Sequence, residues 1–397
     1  MYTFEREPSS ISGGISYQNK ILNIVNPIAL TIGPSIVSIN GRSDFNKRNL
    51  ILDLSLTEAS TFLINNFWSD SLKSGNATGS MRLFGPFSDL GINTELVIRN
   101  FQYDEINLEY FELSSELENL NQFENGFVNV KFGDGTWKEY GFESGTGAFI
   151  LKNDLIEISS FELKNNDDFL QFNGVIDADS VFLLDRFQFA YRNHYLVNPK
   201  PIKIFFNENY FETKPFEIHV DDGVFEGFVK NNPISGDLKF SNVTTDLLSL
   251  FSPEYSEKIK GNIFGEISVK ERLGQNEVNL NVNLKNGEIA NQSFDEFEIL
   301  ADFSEGILDL KNIELIYGEN TRLQIEGIYP MLIDSTRISK VEIKSNFKNI
   351  DLKLFTQFTD RFNEDLIGTF SGVFLMKGTT DKTIFELDGS IDNAIYK

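Results

Sequence analysis

Apolar and polar residues alternate along much of this chain. Leu50, Leu52, Leu54 and Leu56 span a segment in which Asp53 and Ser55 intervene, and Phe385 and Leu387 lead into Gly389 in the same rhythm. Side-chain directions reverse at each residue of an extended chain, so Leu280, Val282 and Leu284 share one face while Asn279, Asn281 and Asn283 line the other. The pattern predicts many half-buried strands with one apolar and one wet face. In a closed sandwich such faces bury one another, whereas in an open, curled sheet they line a trough that needs an apolar occupant. Alternation is the same in both cases.

The strands repeat. Gly75-x-x-x-Gly79, Gly261-x-x-x-Gly265 and Gly368-x-x-x-Gly372 each open a run of alternating apolar positions. One constant offset relates Gly75 to Gly261, Asn100 to Asn286, Phe111 to Phe297 and Leu117 to Phe303, so two segments share a register. The third copy closes with Gly378 as the first closes with Gly85, while the second has Glu271 there. Upstream of each copy, residues 59–67, 245–251 and 352–358 have the makings of one or two helical turns. A second pattern joins Ile158, Phe161, Leu163 and Gly174 to Leu310, Ile313, Leu315 and Gly327, with a looser instance at Ile24, Leu30 and Gly41. Each reads as two short strands around a polar turn, the second closing at glycine, where a positive φ costs little. No Gly-, Pro- or Ser-rich linker interrupts the chain. It reads as one continuous β-repeat body over 1–397, with approximate segments 1–58, 59–244, 245–348 and 349–397.

Composition agrees: the 38 Phe and 12 Tyr far outnumber the 4 Met and 2 Trp, as expected of many half-buried strands. The formal charge of −24 disfavours a nucleic-acid partner, and dense contact with an anionic bilayer is disfavoured on the same ground, since no run of basic residues offsets it. Cysteine is absent, which excludes disulfides and thiolate metal sites. No secretion signal or stretch of about 18 apolar residues occurs. Both ends run directly into strand-like sequence, so the chain reads as an internal section of a longer body.

Catalytic chemistry finds little footing, and the chain reads as a non-enzyme without cofactor or metal. His194 and His219 lack HExxH spacing or a neighbouring histidine. His219 falls on the wet side of a strand, opposite Ile218 and Val220. Asp167-Asp168 and Asp221-Asp222 have carboxylates suited to acid–base work, but Asp is favoured in hairpin turns for local backbone reasons. Gly141, Gly145 and Gly147 are clustered without the Lys-Ser/Thr end of a phosphate loop. Gly13-Gly14 and Gly133-Asp-Gly135 read as turns, and no segment has the EF-hand spacing.

Taken together, a short Asp/Leu-rich helical stretch, then Gly-x-x-x-Gly and alternating strands ending in apolar-x-Gly, resembles the AsmA/TamB-like superfamily of bacterial envelope proteins. The clearest stretches run from Thr244 to Val269 and from Asn349 to Gly378, continuing into Gly389. The resemblance implies an all-β fold: an elongated, repetitive β-sheet curled into a taco-like groove with short helical insertions. It implies a bridge-like carrier of phospholipid between inner and outer membranes, or a part in outer-membrane protein assembly, in the periplasm of a Gram-negative cell. An Omp85-type outer-membrane barrel is the implied partner, and an inner-membrane anchor the implied tether, on a segment absent here. The groove lining would be Met81, Leu83, Ile267, Val269, Val282, Leu284, Leu308, Leu310, Phe374 and Met376. Gly75, Gly79, Gly261, Gly265, Gly368 and Gly372 would be structural. The alternatives are a structural or adhesive β-repeat protein whose apolar faces are sealed, and a polysaccharide-acting β-helix enzyme, which would need a cleft with convergent carboxylates.

Overall fold

The computed structural model describes residues 9–60, 72–120, 125–138, 140–250, 259–272, 274–289, 292–331, 339–352 and 366–396. They form 26 strands and almost no helix. The expected all-β architecture is what the chain adopts, and its strand pairs are antiparallel. Its contacts divide it into two units, Met1–Val197 and Asn198–Lys397.

The first unit is an antiparallel meander of thirteen strands. They are β1 (Ser9–Gln18), β2 (Ile21–Ile32), β3 (Ser35–Asp44), β4 (Asn49–Ser60), β5 (Leu72–Pro86), β6 (Gly91–Tyr103) and β7 (Ile106–Leu117). The unit continues through β8 (Asn125–Trp137), β9 (Tyr140–Lys152), β10 (Leu155–Asn165), β11 (Asp168–Ile176), β12 (Val181–Tyr191) and β13 (His194–Val197). Each strand pairs with the next in the chain. The first strand pairs with β2 alone, so the sheet does not close into a barrel.

The second unit opens with four short strands, β14 (Ile202–Asn207), β15 (Tyr210–Thr213), β16 (Phe216–Val220) and β17 (Gly223–Asn231), in which both β15 and β16 pair with β17. From there it is a plain meander: β18 (Ile234–Thr244), β19 (Ile259–Arg272), β20 (Gln275–Ile289), β21 (Gln292–Ser304) and β22 (Ile307–Tyr317). It ends with β23 (Thr321–Pro330), β24 (Lys340–Asp351), β25 (Leu366–Thr379) and β26 (Lys382–Tyr396). Of the expected helical stretches, Thr245–Leu250 is a six-residue 3-10 helix. Ala59 and Ser60 instead extend β4, and residues 61–67, 251 and 353–358 lie outside the described residues.

The repeat has a structural cause. Gly75, Gly261 and Gly368 take φ of +147°, +144° and +145°, and residues Asn100, Asn286 and Asn393 on the neighbouring strands take +52°, +50° and +54°. At each place the ladder slips: around Ser74 and Asn76, between Lys260 and Asn262, and between Ile367 and Thr369. The first glycine of each Gly-x-x-x-Gly therefore sits in a β-bulge opposite a left-handed asparagine, two residue types that tolerate these conformations. The second glycine has a different reason. A Cβ on Gly79 or Gly265 would lie 2.0 Å from the Glu95 or Asn281 carbonyl oxygen of the adjacent strand.

Other glycine readings need correction. Gly13 and Gly14 lie inside β1 at a register shift, and Gly133 and Gly135 lie inside β8, so neither pair makes a hairpin turn. Nor do Gly174 and Gly327 close their strands, since β11 runs on to Ile176 and β23 to Pro330. The three-residue gap from Ile158 to Phe161, repeated from Leu310 to Ile313, is a bulge within one strand.

Gly265→Val should destabilise the second unit by about 2–4 kcal/mol, from a backbone clash added to a strained φ. Gly141, whose nearest neighbour would be 4.0 Å from an added Cβ, should accept alanine with less than about 1 kcal/mol of change. Urea unfolding of the two variants beside the wild type measures both.

Candidate functional site: the apolar faces

Register joins the alternating residues of single strands into rows across each unit. In the first, one row runs Ile11, Leu30, Val37, Leu56, Gly79, Leu96, Leu113, Val130, Gly147, Phe161, Phe172 and Phe187, one residue from each of β1 to β12. In the second, a row runs Ile218, Phe225, Phe240, Gly265, Val282, Ile299, Ile313, Ile325, Ser345, Phe374 and Leu387, from β16 to β26. Only Ser345 interrupts it, and that side chain is buried. The next row on the same face carries Leu238, Ile267, Leu280, Ala301, Leu310, Gly327, Ile343, Met376 and Phe385.

All ten residues expected to line a groove lie on the apolar face of their own unit. Met81 pairs with Leu54 and Leu83 with Leu52, while Ile267 pairs with Leu280 and Val269 with Val278. Val282, Leu284, Leu308, Leu310, Phe374 and Met376 occupy the rows of β20, β22 and β25. Their environments differ. Val282 (8% exposed) and Leu284 (6%) belong to a packed cluster with Ile289, Phe294 and Leu315. The other eight are half-buried. Leu56, Ala59, Ala77, Leu96 and Ile98 form the corresponding cluster of the first unit.

Among the described residues of each unit the sheet is a single hydrogen-bonded layer, and most of its apolar face is intermediate in exposure. A sandwich core would bury those side chains outright. The arrangement is that of a sheet with an apolar face open enough to take an occupant, compatible with a groove-forming protein. Phenylalanine supplies much of the surface, as in the stacked pairs Phe161–Phe172 (4.8 Å between ring centres) and Phe225–Phe240 (5.2 Å).

The opposite face is polar. In the second unit Ser268 donates to Asn279, Asn279 to Asp302 and Asn312 to Glu298, forming side-chain links across β19 to β22. In the first unit this face carries a depression of about 490 Å³ whose border includes Ser38, Ser55, Ser80, Arg82, Glu95 and Glu116. Of the ten expected lining residues, Met81 borders it. Small serines flanked by longer side chains account for the hollow, and the Arg82–Asp53 pair at 3.5 Å is half-exposed.

His219, Asp168, Asp221 and Asp222 take part in local structure. His219 Nε2 lies 2.7 Å from Glu217 Oε1. That hydrogen bond, with Lys200 nearby, holds the Glu217 carboxyl below its ordinary range. Asp221 and Asp222 form the β16–β17 turn, and Asp168 Oδ1 accepts from the Arg192 backbone N–H at 2.9 Å. Among the described residues no group of three His, Asp or Glu side chains is placed to hold a metal, and no helix is long and apolar enough to cross a membrane. No protein-family model matches this sequence, and no curated protein matches it.

The two environments on the apolar face should separate in mutagenesis. Leu284→Ala should cost about 2–4 kcal/mol because it opens a cavity in a packed cluster. Met81→Ala, half-exposed, should cost less than about 1.5 kcal/mol. Denaturant midpoints of the two variants check the contrast.

Proposed function

We propose that the apolar faces carry lipid. The observation that supports this reading is the continuity of the apolar rows, through twelve strands in one unit and eleven in the other, on side chains left mostly half-exposed. An acyl chain moving from water onto such a face gains about 0.8 kcal/mol per CH₂ buried, while its headgroup stays in solvent at the strand ends. Because neighbouring strands offer equivalent contacts, a lipid moving along the rows rehydrates little apolar surface between positions. This movement needs no tight local site and no nucleotide. Direction would come from a concentration difference or from an energised partner.

The resemblance to the AsmA/TamB-like superfamily supports placing this activity in the cell envelope, as phospholipid movement between inner and outer membranes or support of outer-membrane protein assembly. The partner on this reading is an Omp85-type barrel, with a tether to the inner membrane. The reading is of a carrier, not an enzyme.

The test is native mass spectrometry with lipid extraction on the chain purified from an envelope fraction without detergent. Co-purifying phospholipid is expected, and its amount should fall several-fold when the half-exposed Met81, Ile267, Leu310 and Met376 become Asp in a protein that keeps its β-sheet circular dichroism. A folded wild-type chain that remains lipid-free after incubation with liposomes would sink the proposal and favour a sealed β-repeat scaffold.

A further inference from the structure

Although the sequence contains no run of basic residues to offset its charge of −24, the fold assembles a basic corner. At one end of the first unit's strands, three successive turns lie side by side: 19–20 between β1 and β2, 45–48 between β3 and β4, and 87–90 between β5 and β6. They are zipped together. The Phe45 N–H donates to the Lys20 carbonyl (3.0 Å), the Phe87 N–H to the Arg48 carbonyl (2.8 Å), and Asn46 Nδ2 to the Asn19 carbonyl (2.8 Å). Asp44 Oδ1 accepts from the Asn46 and Lys47 backbone N–H groups, which sets the shape of the middle turn.

The zipping lines up two kinds of side chain. Tyr17, Phe45 and Phe87 form a ladder of edge-on rings with centres 6.4 and 5.9 Å apart, yet they remain 63%, 48% and 38% exposed. Tyr17 pairs with Leu22, whose row continues through Ser43 to Leu50 on the apolar face. The rings therefore rim that face at its mouth. Beside them, Lys20, Lys47 and Arg48 are exposed, and no ion pair among the described residues engages them, whereas Arg42 is paired with Asp44 at 3.5 Å. The three turns carry one carboxylate, Asp89.

Exposed aromatic rings next to unpaired Lys and Arg are the side-chain chemistry of a membrane interface, where rings settle among headgroups and cations meet phosphates. We propose that this corner docks on the surface of a bilayer containing anionic phospholipid. Tyr17, Phe45 and Phe87 seat in the headgroup layer, and Lys20, Lys47 and Arg48 meet lipid phosphates. The remaining negative charge does not forbid this, since ionic strength near physiological screens charges beyond about 8 Å. The docking brings the open rim of the apolar face against a lipid source.

Flotation of the full chain with vesicles tests the proposal. Binding to phosphatidylcholine vesicles containing phosphatidylglycerol should exceed binding to phosphatidylcholine alone by roughly tenfold or more, and should weaken with salt. The triple variant K20E/K47E/R48E should lose that preference. A control triple, K131E/K164E/K344E, makes the same change in net charge at ion-paired lysines elsewhere and should stay within about twofold of wild type. Tyr17→Ser with Phe45→Ser should lower binding to both vesicle types while the salt dependence persists. Absence of vesicle binding by the wild type, or equal loss in the two charge-reversal triples, would overturn the proposal. Lipid carried free in solution is scored separately, so failure here leaves the carrier reading standing.

Discussion

Everything in this protein depends on keeping strand register. Side chains alternate with a period of two, so a slip of one residue in any ladder would turn that strand's apolar set toward water. The bulges preserve the face where simple alternation would lose it. Ile158 and Phe161 are three residues apart and would point to opposite sides of a regular strand. The extra residue in β10 places them opposite Gly174 and Phe172, which are two apart, so both stay on the apolar face. The step from Leu310 to Ile313 in β22, opposite Gly327 and Ile325, is the same device. Each left-handed asparagine opposite a bulge glycine marks another place where the chain absorbs a residue without turning the strand over.

With register held, stability is spread thinly. Among the described residues two buried clusters form around Leu96 and Leu284, single side chains such as Val220, Val341 and Ile350 are buried elsewhere, and most of the apolar face gains part of the free energy of full burial. Ion pairs on the polar face, such as Lys377–Glu386 at 2.7 Å with both groups half-exposed, contribute little. The backbone ladders therefore carry a larger share than in a protein with a closed core. An apolar face that stays half-wet leaves burial that an occupant would complete. The same openness leaves the last strand, β26, with Phe385 and Leu387 about two-thirds exposed.

Charge follows a similar division of labour. Most acidic residues lie on the polar face or in turns, where many accept hydrogen bonds that shape the chain, as Asp44 and Asp168 do. The cations at the corner of the first unit are different: the Lys20 and Arg48 backbone carbonyls join turns, while no ion pair among the described residues engages the side chains of Lys20, Lys47 and Arg48. Local arrangement, not net charge, decides what such a surface can meet once ions in solution screen the distant carboxylates.

The amino-acid pattern determined the strands, their two-faced character and the shared register of the repeats, because alternation and left-handed tolerance are properties of single strands and single residues. Leu280, Val282 and Leu284 against Asn279, Asn281 and Asn283 state their faces without knowledge of any neighbour. Other features required the ladders. Gly13-Gly14 and Gly133-Gly135 have the composition of turns, and only pairing places them within strands. Asn393 joins Asn100 and Asn286 through its position across from Gly368, not through a motif of its own. The rows across strands and the meeting of Lys20 with Lys47 and Arg48 arise from hydrogen bonds between residues distant in the chain. Tertiary structure decided them because contacts across strands depend on which carbonyl each N–H finds, and that partner is chosen by the whole sheet.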